Sequence, residues 1–454
     1  MILLRRKLAV EVEGWLADGA KQPLLIRGAR RTGKTTLAET IGRQHAGEYF
    51  VKLDFQTDAA RADAVFSGPT DDLDRIVSNM AELLRTEIDR SRSIILLDEV
   101  QLNEKALNSL RFFSQSGWRI IATGSLLGVT VKWRRLPFPS GIRQVTLHPM
   151  DFEEWLWACG EGHMANAIRE HAMSLDPYIL HDDALELYHR YLVVGGMPKA
   201  VATWVETRDH AAVRSVLDEI DLTYTADMTD PENGISGAAA KRVWESIPKQ
   251  LMRASTKKFK YAEVVRGGRR ASLLEPLEWL DAAGIITLNH LTCDTSFPLA
   301  PYNDEEGSFF KAYVADTGLM FRKFRVDAET YLDPVLHDVL SSDFRGALAE
   351  NSVMQALCAN GIDTYYWMPQ PSVGRGEVDF VYQTNRAQIV PVEVKSGRNV
   401  RAKSLAKLVR EGRSTVAYRL SEQNFSRSVV QGTDCTLAGL PLYAAYTLDR
   451  SPTT

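Results

Sequence analysis

Short apolar runs alternate with amphipathic patterns of helical spacing in the first third of the chain. The apolar runs lie at residues 24–26, 50–53, 94–97, 119–122 and 144–147. Such runs, separated by helical patterns, are typical of a parallel α/β sheet whose strands are buried on both faces. We therefore predict a parallel sheet within residues 1–160.

The apolar spacing becomes helical beyond residue 152. Up to about residue 227, positions such as Leu185, Tyr188 and Leu192 would share one helix face. Further along, helices near 242–253 and 273–283 flank a basic turn and precede an apolar run. A helix, a turn, a second helix and a β-hairpin in this order predict a winged helix.

Length and composition limit the possible number of domains, the cellular location and the state of the cysteines. A chain of 454 residues is too long for one ordinary core and predicts several domains. No apolar stretch approaches the length of a membrane span, and the basic residues 5–7 follow a very short apolar piece, the reverse of a secretory signal. We therefore expect a cytoplasmic protein with no membrane partner. The four cysteines are far apart and form no CxxC pair, so reduced thiols are expected.

A phosphate-binding pattern follows the first apolar run directly. Residues 28–35 read GARRTGKT, which fits GxxxxGK[ST]. The glycines would let backbone N–H groups approach phosphate oxygens at a helix N-terminus, Lys34 would reach the β- and γ-phosphates, and Thr35 would offer its hydroxyl to Mg²⁺. We predict ATP and Mg²⁺ as cofactors, held by Gly28, Ala29, Arg30, Arg31, Thr32, Gly33, Lys34, Thr35 and Thr36. The alternative, a chance glycine-rich turn, is disfavoured by the Lys-Thr pair and the preceding strand.

Two acids stand at the end of the third apolar run. Asp98 would hold Mg²⁺ through water, and Glu99 is placed to polarise the attacking water. Ser125 or Thr123, at the end of the next run, would sit between the γ-phosphate and that water, although a simple strand-end turn is the alternative. We predict Glu99 and Ser125 as catalytic residues and Thr35 and Asp98 as metal ligands.

Hydrolysis usually needs a cation that neutralises the charge developing on the transferred phosphoryl group. The arginines that qualify by position are Arg134, Arg135, Arg143 and Arg190. The sequence does not choose among them. It also leaves open whether the arginine acts within its own chain or across the interface of a homo-oligomer.

A second group of charged residues lies near the C-terminus. The segments 376–381 (GEVDFV) and 390–396 (VPVEVKS) read as two strands and together form the pattern D-x13-ExK. Alternation places Glu393 and Lys395 on one face of the second strand, and pairing of the strands would bring Asp379 beside Glu393. Bringing two carboxylates and an ammonium together away from water costs free energy unless the group holds a cation.

That arrangement suits Mg²⁺-dependent cleavage of a phosphodiester bond. Asp379 and Glu393 would ligate the metal and act in catalysis, with Lys395 positioning or deprotonating a water. Glu350, on the preceding helix, would add a third carboxylate ligand. The set resembles the core of PD-(D/E)xK nucleases. The alternatives are ordinary surface alternation of Glu and Lys, and a nuclease-like fold that binds DNA without cutting it.

The net charge of −4 argues against a chain that coats nucleic acid through its overall charge, so such a site has to be local. One basic cluster consists of Arg253, Lys257, Lys258, Lys260, Arg266, Arg269 and Arg270, and a second of Lys395, Arg398, Arg401, Lys403, Lys407, Arg410 and Arg413. We predict a nucleic-acid partner, with DNA as the first choice, bound by the winged helix and the C-terminal domain. A solvated charged face is the alternative for each cluster.

Several short motifs accompany the P-loop. They are LHPMDFEE at 147–154, GGMP at 195–198, KKFKY at 257–261, ADTGL at 315–319 and GALAEN at 346–351. With them the chain resembles bacterial and archaeal AAA-type ATPases that carry a P-loop domain, a winged helix and a C-terminal restriction-endonuclease-like domain. Two positions depart from that pattern: Arg31 stands where Gln is common, and Ile142 stands where a basic residue is expected after Gly141.

The resemblance implies an α/β fold built on a P-loop AAA+-type parallel sheet. The expected divisions are a P-loop ATPase domain (1–160), a helical subdomain (161–230), a winged helix (231–302), a connector (303–335) and a C-terminal α/β restriction-endonuclease-like domain (336–454). The predicted function is Mg-ATP hydrolysis coupled to nucleic-acid binding and DNA cleavage. The alternative is a nucleotide-controlled module that grips DNA or a partner protein without cutting. A metabolic P-loop kinase is disfavoured, because Glu99 and the downstream domains suit ATP hydrolysis better.

Overall fold

The computed structural model describes residues 3–125, 140–231, 234–253, 257–302, 309–370, 376–396 and 403–450. The arginines considered above that lie outside these residues are Arg134, Arg135, Arg398 and Arg401.

A five-stranded, all-parallel sheet forms in the first part of the chain. Its strands are β1 (Leu24–Gly28), β2 (Phe50–Asp54), β3 (Ile94–Asp98), β4 (Arg119–Ser125) and β5 (Arg143–Thr146). Their spatial order is β2-β3-β4-β1-β5, so β4 lies between the strand before the P-loop and the strand that ends at Asp98. The strands predicted from the apolar runs are confirmed.

Helices pack on both faces of this sheet. They are α1 (Leu8–Ala17), α2 (Lys34–Ala46), α3 (Ala59–Val65), α4 (Leu73–Leu84) and α5 (Glu104–Phe113). Along β3, Ile95 and Leu97 enter the hydrophobic cluster of one face, and Ile94 and Leu96 that of the other. A strand's side chains alternate between faces, so a continuous apolar run has to be covered on both sides.

A group of helices follows the sheet, as the helical spacing predicts. They are α6 (Phe152–Ala158), α7 (Gly162–Ser174), α8 (His181–Val194), α9 (Pro198–Thr207) and α10 (His210–Thr229). Asp151 caps the start of α6 by accepting the N–H of Glu154 at 3.0 Å. Asp209 does the same for α10 through the N–H of Ala211 at 2.8 Å. Such caps satisfy backbone donors that have no partner inside the helix.

The segment expected to form a winged helix has the predicted order of elements. Residues 231–302 contain α11 (Gly237–Leu251), α12 (Tyr261–Val264), α13 (Arg270–Ala282) and β6 (Ile286–Thr292), whereas β7 (Phe310–Val314) follows beyond the expected boundary, so the winged helix itself stays a prediction. β6 and β7 pair antiparallel as a hairpin. However, β6 also pairs in parallel with the C-terminal strand β8 (Thr364–Trp367), so the hairpin is part of a larger sheet. The sheet is thus continuous across the boundary expected at 302/303.

The C-terminal part is built around a mixed eight-stranded sheet in the order β12-β13-β11-β10-β9-β8-β6-β7. Its further strands are β9 (Val378–Gln383), β10 (Ile389–Val394), β11 (Val416–Ser421), β12 (Ser426–Val429) and β13 (Thr436–Pro441). Its helices are α14 (Thr317–Lys323), α15 (Ala328–Leu332), α16 (Pro334–Val339), α17 (Ser342–Ala359) and α18 (Lys403–Gly412). β9 and β10 pair antiparallel, as expected for the strands that carry Asp379 and Glu393. The restriction-endonuclease-like fold itself stays a prediction.

One hydrophobic cluster joins the helical segment to the C-terminal sheet, with buried members from Met150 to Leu448. The helix α17 is central to it, since most of its residues from Phe344 to Leu357 are buried. Among the described residues, no helix is long and apolar enough to cross a membrane.

Candidate nucleotide site and C-terminal charge cluster

The carboxyl ends of the parallel strands gather the predicted nucleotide-binding residues at one edge of the sheet. Gly28 ends β1 opposite Ser125, which ends β4, and Asp98 ends β3 opposite Asp54. In open α/β sheets, this edge is where ligands bind. The sequence could place each residue at a strand end, and the strand order brings those ends together.

The P-loop turns from β1 into α2 through two glycines with positive φ, +145° at Gly28 and +93° at Gly33. A Cβ on Gly28 would lie 2.2 Å from the carbonyl oxygen of Leu147, so no larger residue fits there without a shift. Lys34 is buried, and its Nζ donates to the carbonyl oxygens of Gly28 at 3.2 Å and Ala29 at 2.9 Å. Burial lowers the pKa of Lys34, although the carboxylates of Glu99 and Asp98 oppose that shift.

Asp98 is the centre of a polar group at this edge. Its Oδ1 accepts the hydroxyl of Thr35 at 2.8 Å and also that of Thr123. Its Oδ2 lies 2.9 Å from the ammonium of Lys52. Adjacent hydroxyl and carboxylate oxygens are ligands that Mg²⁺ takes, so Thr35 and Asp98 fit the predicted metal.

Glu99 lies next to Asp98 in a left-handed backbone conformation with φ of +56°. The amide of Gln101 donates to Glu99 Oε2 and, at 3.2 Å, to the hydroxyl of Ser125. The N–H of Ser125 is 3.5 Å from the same Glu99 oxygen. The structure therefore brings Glu99 and Ser125 together as expected, and Gln101 joins them although no sequence pattern indicates it.

Two of the arginines considered for catalysis lie away from this edge. Arg143 begins β5 opposite Leu24, at the end of the sheet remote from Gly28, and its guanidinium pairs with Glu11 at 3.1 Å. Arg190 on α8 bonds Glu186 and lines a separate cavity. Within one chain, Arg143 is not placed to reach a phosphate at the P-loop, because parallel strands put their starts and ends at opposite edges. Arg190 lines a cavity whose lining includes no P-loop residue.

A cavity of about 820 Å³ adjoins the P-loop. It is lined in part by Leu3, Leu4, Arg5, Ile41, Pro198 and Lys199. The N-terminal residues and the GGMP motif were not predicted as nucleotide-binding positions, since their place beside the P-loop depends on long-range packing. Apolar walls beside a phosphate-binding turn suit the base and ribose of a nucleotide.

Arg6 fastens the N-terminus to this site. Its Nε donates to Glu154 Oε2 at 3.1 Å, and its two terminal nitrogens donate to the carbonyl oxygens of Thr32, at 2.8 Å, and His148, at 2.5 Å. The adjacent Lys7 pairs with Asp151 and Glu153. The only sequence signal for this contact is the complementary charge of a basic run near the N-terminus and the acidic motif at 151–154.

The helix α10 contacts the P-loop from the other side. The hydroxyl of Tyr224 donates to the carbonyl oxygen of Arg30 at 2.9 Å, and the side chain of Arg30 pairs with Asp227. Arg31, with φ of +68°, lies 3.8 Å from Glu219. The backbone and side chains of the loop are thus held by the helical segment.

The predicted residues of the C-terminal site also converge, but lysines stand among the carboxylates. Lys395 Nζ lies 2.5 Å from Glu393 Oε1, and Asp379 Oδ2 accepts the N–H of Val394 at 2.9 Å. Glu350 on α17 accepts the hydroxyl of Tyr313 at 2.6 Å and pairs with Lys257 of the KKFKY motif.

Lys311 on β7 is the residue that sequence reasoning missed here. Its ammonium is fully buried and lies 3.0 Å from Glu350 and 2.5 Å from Glu377. It lies 3.7 Å from Asp379 as well. Nothing in the sequence links a lysine on a distant strand to the D-x13-ExK pattern; the long-range pairing of β7 with β6 and β6 with β8 places it there.

Lys311 lies among the carboxylates that the sequence predicts as metal ligands. The carboxylates of Glu350 and Asp379 share this ammonium, so their charges are already countered. Among the described residues, the three side chains whose ligand atoms lie close enough to hold one ion are His189, His337 and Glu422. A buried ammonium can neutralise gathered carboxylates as a metal would, and the Mg²⁺ ligands expected here stay a prediction.

The pKa values of two of these acids move in opposite directions. Burial alone would raise the pKa of Glu350, but Lys257 and Lys311 outweigh it and bring the value to about 2. Burial and the neighbouring Asp379 raise the pKa of Glu393 to about 7, against the opposing effect of Lys395. Glu393 Oε2 is buried without a hydrogen-bond partner. Glu350 is therefore held ionised, whereas Glu393 can hold a proton near neutral pH.

The first basic cluster is divided by the fold. Lys257 forms an ion pair with Glu350, and Arg253 forms one with Glu263. The ammonium of Lys258 lies over the ring of Phe309. The exposed members are Lys260, Arg266, Arg269 and Arg270, which lie before and at the start of α13. In the described part of the chain, no ion pair to these exposed residues is found.

Three family models match separate parts of the chain. Residues 20–156 match an AAA domain. This part of the chain is therefore similar to AAA-type P-loop domains. Residues 185–330 match a domain of unknown function (DUF8612), and residues 345–434 match another (DUF4143). No protein with a curated description matches the chain.

Matches among solved structures have low sequence identity and TM-scores below 0.5. The ORC2 protein of Aeropyrum pernix is 13% identical with a TM-score of 0.33, and the match covers 73% of this chain and 92% of that protein. A signal transduction ATPase with a tetratricopeptide repeat sensor from Pyrococcus horikoshii is 14% identical with a TM-score of 0.28, covering 79% of this chain and 49% of that one. Scores this low mark distant resemblance, and no functional residue is transferred from these proteins.

Proposed function

We propose that the AAA-type domain binds and hydrolyses Mg-ATP at the edge of the parallel sheet. The observation that carries this proposal is the convergence of the P-loop, Asp98 and Glu99 at the carboxyl ends of β1 and β3. Backbone N–H groups of the loop and the ammonium of Lys34 would bind the phosphates. Thr35 and Asp98 would hold Mg²⁺, which would neutralise charge on the phosphate oxygens.

Glu99 would orient the attacking water in this proposal. Gln101 bonds both Glu99 and Ser125, so the carboxylate is held between the strand that ends at Asp98 and the strand that ends at Ser125. A carboxylate held in this way can accept a hydrogen bond from water without first reorganising. Ser125 and Thr123 lie on β4, which is placed between β1 and β3. From there their hydroxyl groups could contact a phosphate on one side and Glu99 on the other.

The test measures nucleotide binding and turnover separately. Lys34→Ala should weaken ATP binding, whereas Glu99→Gln should keep binding and lower turnover by at least about 100-fold, the usual size of such an effect. Glu104→Gln, the same chemical change at an exposed position on α5, should leave both unchanged. If Glu99→Gln hydrolyses ATP at the normal rate, the role proposed for Glu99 is wrong.

We further propose that the C-terminal part serves as a nucleotide-controlled binding module rather than as a nuclease. Lys311 supports this choice because its ammonium counters the charges of Glu350, Glu377 and Asp379, which lowers their need for a metal ion. The exposed cations Lys260, Arg266, Arg269 and Arg270 support contact with a nucleic-acid backbone, which binds clustered Lys and Arg. DNA cleavage at Asp379, Glu393 and Lys395 stays a prediction that this arrangement disfavours.

The second experiment incubates the full chain with supercoiled and single-stranded DNA, ATP and Mg²⁺ or Mn²⁺. We expect binding without nicking. Replacing Arg269 and Arg270 by Ala should weaken binding and flatten its salt dependence, whereas Arg427→Ala, an exposed arginine on β12, should not. Nicking that Asp379→Asn abolishes would restore the nuclease hypothesis. Unchanged binding after loss of both arginines would exclude this surface.

A further inference from the structure

Two histidines and a glutamate meet where three separate segments pack together. His189 lies on α8, His337 on α16, and Glu422 directly after β11. One ligand atom of each side chain lies within 4.8 Å of the others, and His189 Nε2 is 3.8 Å from Glu422 Oε1. In the residues that the structure describes, no other group of three His, Cys, Asp or Glu ligands is found this close.

The ring of His337 is oriented for a ligand. Its Nδ1 lies 2.9 Å from the carbonyl oxygen of Tyr331. Because a carbonyl oxygen only accepts, Nδ1 carries the proton and Nε2 presents its lone pair. His337 is only 8% exposed, and its Nε2 is buried without a hydrogen-bond partner. A histidine that binds a metal usually donates its other ring nitrogen in this way, to a carbonyl or carboxylate.

The donor set selects among metals. Two imidazoles and one carboxylate are the protein ligands of many Zn²⁺ sites, whereas Mg²⁺ and Ca²⁺ prefer oxygen ligands alone. Tetrahedral Zn²⁺ with bonds of about 2.0–2.1 Å needs ligand atoms roughly 3.4 Å apart. The 3.8 Å between His189 and Glu422 is close to this value, and the three ligand atoms, all within 4.8 Å of one another, have to move closer together on binding. The charge of Arg345 also acts on His337 and Glu422. This positive charge acts against any bound cation, so the binding free energy has to come from the bonds to the three ligands.

We propose that His189, His337 and Glu422 form a Zn²⁺ site that joins the helical segment to the C-terminal sheet. The short helix α16 has little apolar anchorage of its own, since Val335 and Val339 are 76% and 77% exposed. A metal bond through His337 fastens this helix to α8 and to the end of β11. The site is separate from both charged sites described above and is independent of their functions.

The experiment uses the full chain after treatment with a chelator, titrated with Zn²⁺ alone. We expect about one equivalent to bind, a higher melting temperature, and slower amide exchange in α16 and near residue 422. Co²⁺ at the same site should give visible absorption of a four- or five-coordinate ion. Mg²⁺ at millimolar concentration should produce none of these effects, because it prefers oxygen ligands.

Glu422→Gln and His337→Gln test the ligands while keeping side-chain size similar. Each should lower Zn²⁺ affinity by at least tenfold and remove the Co²⁺ absorption. His163→Gln, at an exposed histidine on α7 outside the group, should leave both unchanged. If a ligand variant does not fold, the wild-type titration still decides. No Zn²⁺ binding by the wild type, or binding that both ligand variants retain, overturns the proposal.

Discussion

At the scale of single residues, Arg6 shows how a side chain outside the recognised motifs supports the nucleotide site. It is 6% exposed and bonds Glu154 together with the carbonyl oxygens of Thr32 and His148. A buried guanidinium has to satisfy several donors at once, and these acceptors come from the P-loop and from the LHPMDFEE motif. Arg6 therefore fixes the back of the P-loop to the start of the helical segment.

We expect Arg6→Ala to destabilise the protein by about 3–5 kcal/mol, because breaking a buried pair leaves Glu154 uncompensated. Urea unfolding measures this change in the free energy of unfolding. Arg214→Ala is the control, since its pair with Asp327 is exposed and should contribute no more than about 1 kcal/mol. Equal effects of the two substitutions would show that the Arg6 contacts are not stabilising.

Glu393 predicts a dependence of stability on pH. Its pKa is raised to about 7, so between about pH 4.5 and 7 the folded protein holds a proton that the unfolded chain has released. The contribution of Glu393 to the free energy of unfolding is therefore present at low pH and is lost as the pH rises toward 7. The total loss is on the order of 3 kcal/mol. Glu393→Gln should remove this loss. Denaturant titrations at pH 5 and pH 7.5 measure it, and identical pH dependence in both proteins would contradict the raised pKa.

At the scale of elements, the helix α10 is the direct link between the helical segment and the P-loop. Tyr224 and Asp227, one turn apart on this helix, contact the backbone and the side chain of Arg30. Residues three apart lie on the same helix face, so both reach the loop together. If the loop moves when a nucleotide binds, these contacts would therefore transmit the movement to α10.

Tyr224→Phe removes one hydrogen bond to the P-loop without changing the shape of the ring. A net contribution of about 0.5–1.5 kcal/mol predicts ATP-analogue binding that is weaker by roughly 2- to 13-fold. Fluorescence titration with a labelled analogue measures the affinity. Tyr188→Phe is the matched control, because its hydroxyl contacts Ser352 in the shared core, away from the loop. A normal affinity for Tyr224→Phe would argue against coupling through α10.

At the scale of the whole molecule, the motifs of the resemblance meet in one polar network. The N–H of Gly196 donates to Asp316 at 2.6 Å, and the N–H of Met150 donates to the carbonyl oxygen of Gly196 at 2.7 Å. Gln355 on α17 accepts the N–H of Thr317 at 2.8 Å and donates to the carbonyl oxygen of Met150 at 3.0 Å. These motifs connect the AAA-type domain to α17, whose Glu350 enters the C-terminal charge cluster.

The shared core predicts that the helical segment and the C-terminal sheet unfold together. Leu357→Ala on α17 should cost about 2–5 kcal/mol and speed amide exchange in α8, α10, β9 and β10 alike. Leu110→Ala, an equally buried leucine on α5, should affect only the parallel sheet and its helices. Hydrogen-exchange mass spectrometry measures both. Exchange that Leu357→Ala speeds in α17 alone would show that these parts are independent.

The pattern of residues by itself determined the strands of the parallel sheet, the P-loop with Asp98 and Glu99, and the β9–β10 pair that carries Asp379 and Glu393. These features depend on local periodicity and short spacings, which a sequence displays directly. Only the tertiary structure decided the roles of Arg6, Gln101 and Lys311, the continuity of β6 with the C-terminal sheet, and the group formed by His189, His337 and Glu422. Each of these depends on contacts between residues far apart in sequence, and such contacts follow from how the strands and helices pack against each other.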